Sequence, residues 1–255
     1  MKLRNPYKKA FSMMVFGTLA ILTLMLPLTE ASASVVLSAT RIVFEAKDKE
    51  ATIQLVNEGK QPSLVQAWID DGDMRASVDE IDVPFVVTPT VFRVEPGKGQ
   101  ALRIIYSGEP LPADKESLFW LNVLDVPPKA AATEDRNVLQ VAFRSRIKLM
   151  YRPAGLSGDS AEAPKALRWS LVRDDKQQIV LKAENPTSYV VNLGSVTLNV
   201  RGKPFTAGIG HILPGETATF PVKGLGTRDV GDATVTYSSV DDWGSGRAHE
   251  AAVAH

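Results

Sequence analysis

The sequence predicts an all-β protein built as two sandwiches in tandem, and three observations carry that expectation. Apolar stretches with period-2 alternation recur along the chain from residue 35 to residue 240. Clusters of Gly, Pro, Asn and Asp separate them, as sheet turns require. Beyond the N-terminal leader, no segment of any length places apolar residues at helical spacing.

The leader comes first. Lys2, Arg4, Lys8 and Lys9 form a basic region, Phe11 to Leu28 is mostly apolar, and Ala31-Ser32-Ala33 supplies small residues for cleavage. This is the pattern of a secretory signal peptide, residues 1–33, cut after Ala33. Of 255 residues, 222 then remain, with 25 Lys and Arg against 28 Asp and Glu, a net charge of −3. Such a chain has no global field for nucleic acid or an anionic membrane. It has no cysteine, which excludes disulfides, thiol chemistry and thiolate metal sites. Its stability must come from its cores, which about 110 residues per domain can supply.

Seven strands are expected in the first domain, residues 34–152: Val35–Glu45, Ala51–Asn57, Leu64–Ile69, Val83–Val87, Gln100–Tyr106, Leu118–Val123 and Val138–Tyr151. The turns between them include Asn57–Gly59, Asp70–Asp73, Glu95–Lys98 and Ser107–Pro110. Seven strands in about 115 residues is the count of an immunoglobulin-like sandwich. Trp68, on the third strand, is expected to anchor its core. Arg152 to Pro164 is small, polar and bounded by prolines, which reads as a linker. Shorter strands follow in the second domain, residues 153–255, near Leu167–Arg173, Gln178–Glu184, Tyr189–Leu193, Val196–Val200, Thr217–Val222 and Ala233–Val240, with Gly208–Gly210 read as a turn.

The seventh strand is the most informative element. From Leu139 to Tyr151 the odd positions are Leu, Val, Phe, Ser, Ile, Leu and Tyr, while the even ones include Arg144, Arg146 and Lys148. Thirteen alternating residues exceed twice the usual strand length of about five or six. Such a strand is either buried at mid-sheet or is an edge built to pair with another chain, since a long apolar edge otherwise invites aggregation.

Catalytic machinery is not visible. His211 precedes a turn and reads as a surface or loop histidine, His249 and His255 lie in the tail, and none has metal-ligand spacing. Gly155-Leu-Ser-Gly158 is not a nucleophile elbow, and Gly97-Lys-Gly99 lacks the phosphate-loop frame. Asp70, Asp71 and Asp73 resemble half a calcium loop and read as a solvated turn. No metal, nucleotide or cofactor site is therefore expected, and the chain reads as a binding protein.

Five stretches together resemble the periplasmic pilus-assembly chaperones of the chaperone–usher pathway: Thr40–Phe44, Gln66–Trp68, Arg93–Gly97, Glu116–Phe119 with Asn122 and Val126–Pro128, and Ile147–Pro153. Asn185-Pro-Thr187 and Asp242-Trp-Gly244 extend the resemblance through the second domain. It implies two immunoglobulin-like sandwiches in an L-shaped, boomerang arrangement and a periplasmic location. The implied partners are pilin (fimbrial) subunits and an outer-membrane usher, with no enzyme activity and no cofactor. Such subunits lack their last strand, and the chaperone lends one by donor-strand complementation; here Leu139, Val141 and Phe143 would fill the subunit's groove. Arg41 and Lys148 would anchor the client's C-terminal carboxylate. Glu116, Arg152 and Asp242 would form an inter-domain ion cluster.

Lys148 has the opposite parity from Phe143, which implies a bulge or strong twist if both serve one client. The isomer of Thr88–Pro89 stays open, as does whether the free chaperone caps its own strand by dimerising. The short Pro127–Asn137 connection places the chain with the short-loop, rod-pilus members. The competing readings are a structural or adhesive tandem-immunoglobulin surface protein, whose last strand pairs internally, and a secreted β-sandwich hydrolase, for which no nucleophile–base pair can be named.

Overall fold

Alternating burial along each strand organises the chain into two sandwiches, seen in a computed structural model that describes residues 34–129, 140–225 and 232–254. The leader, Leu139 and His255 lie outside the described residues. No helix among the described residues is long and apolar enough to cross a membrane.

The first sandwich has nine strands: β1 (Val35–Leu37), β2 (Arg41–Glu45), β3 (Glu50–Asn57), β4 (Ser63–Asp70), β5 (Phe85–Thr88), β6 (Val91–Val94), β7 (Gly99–Tyr106), β8 (Ser117–Val126) and β9 (Phe143–Arg152). One sheet runs β1-β3-β7-β5 and the other β2-β9-β8-β4-β6. Between them lie Phe44, Ile53, Leu55, Val65, Leu102, Ile104, Leu121 and Leu149, all 2 % exposed or less. Phe44, Phe85, Tyr106, Phe119 and Tyr151 close one part of this core as a cluster of ring contacts 4.9–6.3 Å apart.

The expected strand Val35–Glu45 is two strands. Burial falls on an odd position before Ser38–Thr40 (Val35) and on even positions after it (Ile42, Phe44). The chain therefore pairs with β3 in one layer, then crosses to pair in parallel with β9 in the other. Trp68 is not a core anchor. Val65, Ala67 and Ile69 take the inward positions of β4, so Trp68 points outward, where the Arg144 guanidinium covers its ring at 4.9 Å. Four-residue β6 escaped the sequence reading because it is too short to show an alternating row. The Thr88–Pro89 bond is cis.

The second sandwich comprises β10 (Arg168–Arg173), β11 (Ile179–Glu184), β12 (Val191–Val200), β13 (Lys203–Ile212), β14 (Thr217–Pro221), β15 (Ala233–Val240) and β16 (Gly246–Ala254). They hydrogen-bond in the order β13-β12-β15-β16-β10-β11-β14, with β16 joining the two layers by a short parallel pairing to β10. Trp169, Leu181, Val196, Leu198, Val235 and Tyr237 fill the core. The two expected strands at 189–200 are one, bulged around Gly194 and Ser195. Two strands were missed. Gly208 and Gly210 look like a turn but lie inside β13, where Gly208 takes φ 114°. The predicted tail is β16, whose Ala, His and Glu residues carry little apolar alternation and bury only Val253.

Candidate functional site

Strand β9 has two different neighbours along its length. Its β8 side is paired from Phe143 to Tyr151 without a break in register. Its other side is paired with β2 only from Lys148 to Arg152. From Phe143 to Ile147 that edge carries no strand partner among the described residues. Val141 and Phe143 stand 46 % and 51 % exposed at this free end. They continue the inward row of Ile147, Leu149 and Tyr151 beyond the limit of the chain's own core. Of the two alternatives, bulge or strong twist, no bulge interrupts β8–β9 pairing, so Lys148 keeps the opposite face from Phe143. The two residues sit on two faces of one regular strand.

Arg41 and Lys148 are direct register partners, at the point where the free edge ends and β2 begins. Both are half-buried and both reach acceptors of the second sandwich. Arg41 Nη1 donates to the Val240 carbonyl at 3.0 Å, and Lys148 Nζ donates to Asn192 Oδ1. Arg41 Nε is buried with no acceptor among the described residues. Burial, reinforced by the Arg41 charge, lowers the Lys148 ammonium to about 8. Burial also lowers Arg41, against the opposing pull of Asp242 and Asp241.

The outward row of β9 becomes more buried towards the second sandwich, from exposed Arg144 to half-buried Arg146 and Lys148. Arg146 lies 4.2 Å and Lys148 5.5 Å from the Trp120 ring centroid. Arg144 and Arg146 reach the fully buried carboxylate of Asp70, and Asn122 donates to it at 2.7 Å. Burial opposes the charge of Asp70, but hydrogen bonds from Arg146, Asn122 and the Gly72 amide keep its carboxyl below the usual range. Asp70 thus belongs to an internal ion network and not to a solvated turn; no metal-holding acidic or histidine cluster occurs among the described residues.

His211 was misread as a loop residue. It lies in β13, opposite Asn192, with its ring edge-on to Trp120 at 5.9 Å. Burial, with the Lys148 and Arg146 charges, lowers it to about 4, so it is neutral near pH 7. Only the long-range pairing of β12 with β13 brings it to the cations, and no local motif signals that.

Arg152, Glu116 and Asp242 converge. Arg152 Nε lies 2.6 Å from Glu116 Oε1, and Nη1 lies 2.9 Å from Asp242 Oδ2. Glu45 adds a longer contact at 3.5 Å, and the guanidinium covers the Tyr189 ring at 5.4 Å. Burial works against the Arg152 charge, but its bonds to Asp242 and Glu116 raise it overall. Burial pushes the Glu116 carboxyl up, although Arg152 and the Val190 amide, 2.7 Å away, pull it down. Glu116 also spans the domains through its own amide, which donates to the Ser188 carbonyl at 2.9 Å.

A free strand edge thus ends at paired cations beside two immunoglobulin-like sandwiches. Residues 34–157 match the N-terminal domain, and 162–251 the C-terminal domain, of the PapD pili-assembly chaperone family, described for the first as pili and flagellar-assembly chaperones. The chain belongs to this family. It is 43 % identical to the chaperone protein FimB/FhaD of Bordetella pertussis, over 88 % of this chain and 90 % of that one. The probable fimbrial chaperone YadV of Escherichia coli is 38 % identical, over 89 % of this chain and 92 % of its own. A YadV crystal structure superposes with a TM-score of 0.74 at 36 % identity, covering 86 % of this chain and all of that one. A Salmonella enterica SafB chaperone, solved in complex with the SafA pilin, superposes with a TM-score of 0.70 at 28 % identity, over 88 % of this chain and 98 % of that one.

Proposed function

We propose that this chain is a non-catalytic periplasmic chaperone that caps fimbrial subunits with strand β9 and delivers them to an outer-membrane usher. The free edge of β9, ending at Arg41 and Lys148, is the observation that carries the reading. A client strand laid along 143–147 would be collinear with β2, which runs parallel to β9. It would run the same way, so its C-terminal carboxylate would arrive at the two cations. The unpaired Arg41 Nε is a donor suited to such a carboxylate.

On this reading Val141 and Phe143, with Leu139 upstream, enter the client's groove. Burying three such side chains stabilises the pair by roughly 4.5–9 kcal/mol at about 1.5–3 kcal/mol each, without nucleotide. The regular alternation of β9 separates two tasks: its inward row fills the client, and its outward row holds the anchor. We assign the domain boundary to Arg152–Pro153 and leader cleavage to the bond after Ala33. The short 127–137 connection assigns the chain to the rod-pilus subclass.

The test is recovery of co-expressed pilin from periplasmic extracts. Arg41→Ala with Lys148→Ala should leave the chaperone folded and abolish recovery. Recovery at wild-type level would overturn the anchor.

A further inference from the structure

Asp125 is the charged group that the capture site does not use. It lies near the end of β8, opposite Phe143 in register, on the inward face and 4 % exposed. Oδ2 accepts a hydrogen bond from the Ser34 hydroxyl. Oδ1 is buried with no donor, and no Lys, Arg or His pairs with Asp125 among the described residues. A buried carboxylate left half satisfied and without a counter-charge is costly.

Ser34 is fixed where it stands. Its carbonyl accepts from the Glu58 amide at 2.7 Å and the Gly59 amide at 3.3 Å, and Ser63 donates to its hydroxyl at 3.4 Å. A Cβ on Gly59 would lie 2.8 Å from Ser34 Cβ, so glycine permits this close approach. Ser34 is also the first residue after the expected cut at Ala33. In the precursor its nitrogen is an amide with one hydrogen; after cleavage it is an ammonium with three donors and a positive charge.

We propose that Asp125 is the receptor for the α-ammonium of Ser34 created by leader removal. The inference rests on the export reading and extends it: processing supplies the cation that the buried carboxylate lacks. The ion pair ties β1 to the end of β8 beside Phe143, so the base of the donor strand is completed only in the processed chain. The ligand is the chain's own new terminus, and neither a solution cation nor a client group is required.

Intact mass of the exported protein should give a first residue of Ser34. Melting is then compared for protein beginning at Ser34, protein with one alanine before Ser34, Asp125→Asn, and the two changes combined. The extension and Asp125→Asn should each lower the melting temperature by about 10 °C, as loss of a buried pair does, and together no further. A different first residue would overturn both the cleavage position and the receptor. A Ser34 start with additive effects, or with no shift from either change, would overturn the receptor alone. The extended chain keeps the Asp125 side chain intact, so misfolding of Asp125→Asn would not blunt the test.

Discussion

Lys148 is the side chain whose charge state the cleft controls most directly. Burial and the Arg41 charge bring it from 10.5 to about 8, so anchoring should weaken as pH rises through about 8. The sign for folding is opposite. Between pH 8 and 10.5 the unfolded chain binds more protons at this lysine than the folded one, so its contribution to stability rises with pH there. Client capture should therefore fall on going from pH 7 to pH 9 while thermal stability does not fall in parallel. Lys148→Arg keeps its charge throughout and should flatten the capture profile. A wild-type profile flat from pH 7 to 9 would separate capture from the ammonium. Sequence supplied the identity of this cation through a motif, but not its setting. Asn192 and Trp120, which its ammonium contacts, and Arg41, whose charge helps lower it, lie on three other strands. No spacing rule connects them.

At the scale of elements, β9 joins two environments in ten residues: one neighbour on each side beyond Lys148, and one neighbour alone before it. Edge-facing amides of 143–147 should exchange quickly with solvent in the free protein and become protected when a subunit binds. Phe143→Asp should fold, since that ring is half exposed, and should reduce subunit recovery at least tenfold. Retained recovery with Phe143→Asp would show that the client does not take up this ring.

Most strands were legible because period-2 burial repeats along them, and β9 was the most legible of all. The losses have local causes. Glycines inside β13 imitate a turn, β16 offers almost no apolar row, and a parity change hides the crossing between β1 and β2. Trp68 was misplaced because size suggested a core role, whereas strand parity sends it outward beneath Arg144.

In the whole molecule, few side chains carry the relation between the sandwiches. Arg152, 14 % exposed at its side chain, contacts Glu116 of the first sandwich and Asp242 of the second. Arg152→Ala leaves the 3 % exposed Glu116 without its counter-charge, a loss of about 3–5 kcal/mol when a buried pair is broken. Both cores should survive, but small-angle scattering should report a wider spread of inter-domain angles, and pilus assembly should fall more than secondary structure does. A scattering profile identical to wild type would assign Arg152 a purely local role. The turn that carries Asp242 also contains Gly244, whose φ is 86°. A methyl there would stand 2.9 Å from the Thr40 hydroxyl, one residue before Arg41. A single added carbon would therefore crowd a hydroxyl of the other half of the molecule, in a turn whose backbone already favours glycine. The missing side chain at Gly244 is what lets this turn lie against Thr40.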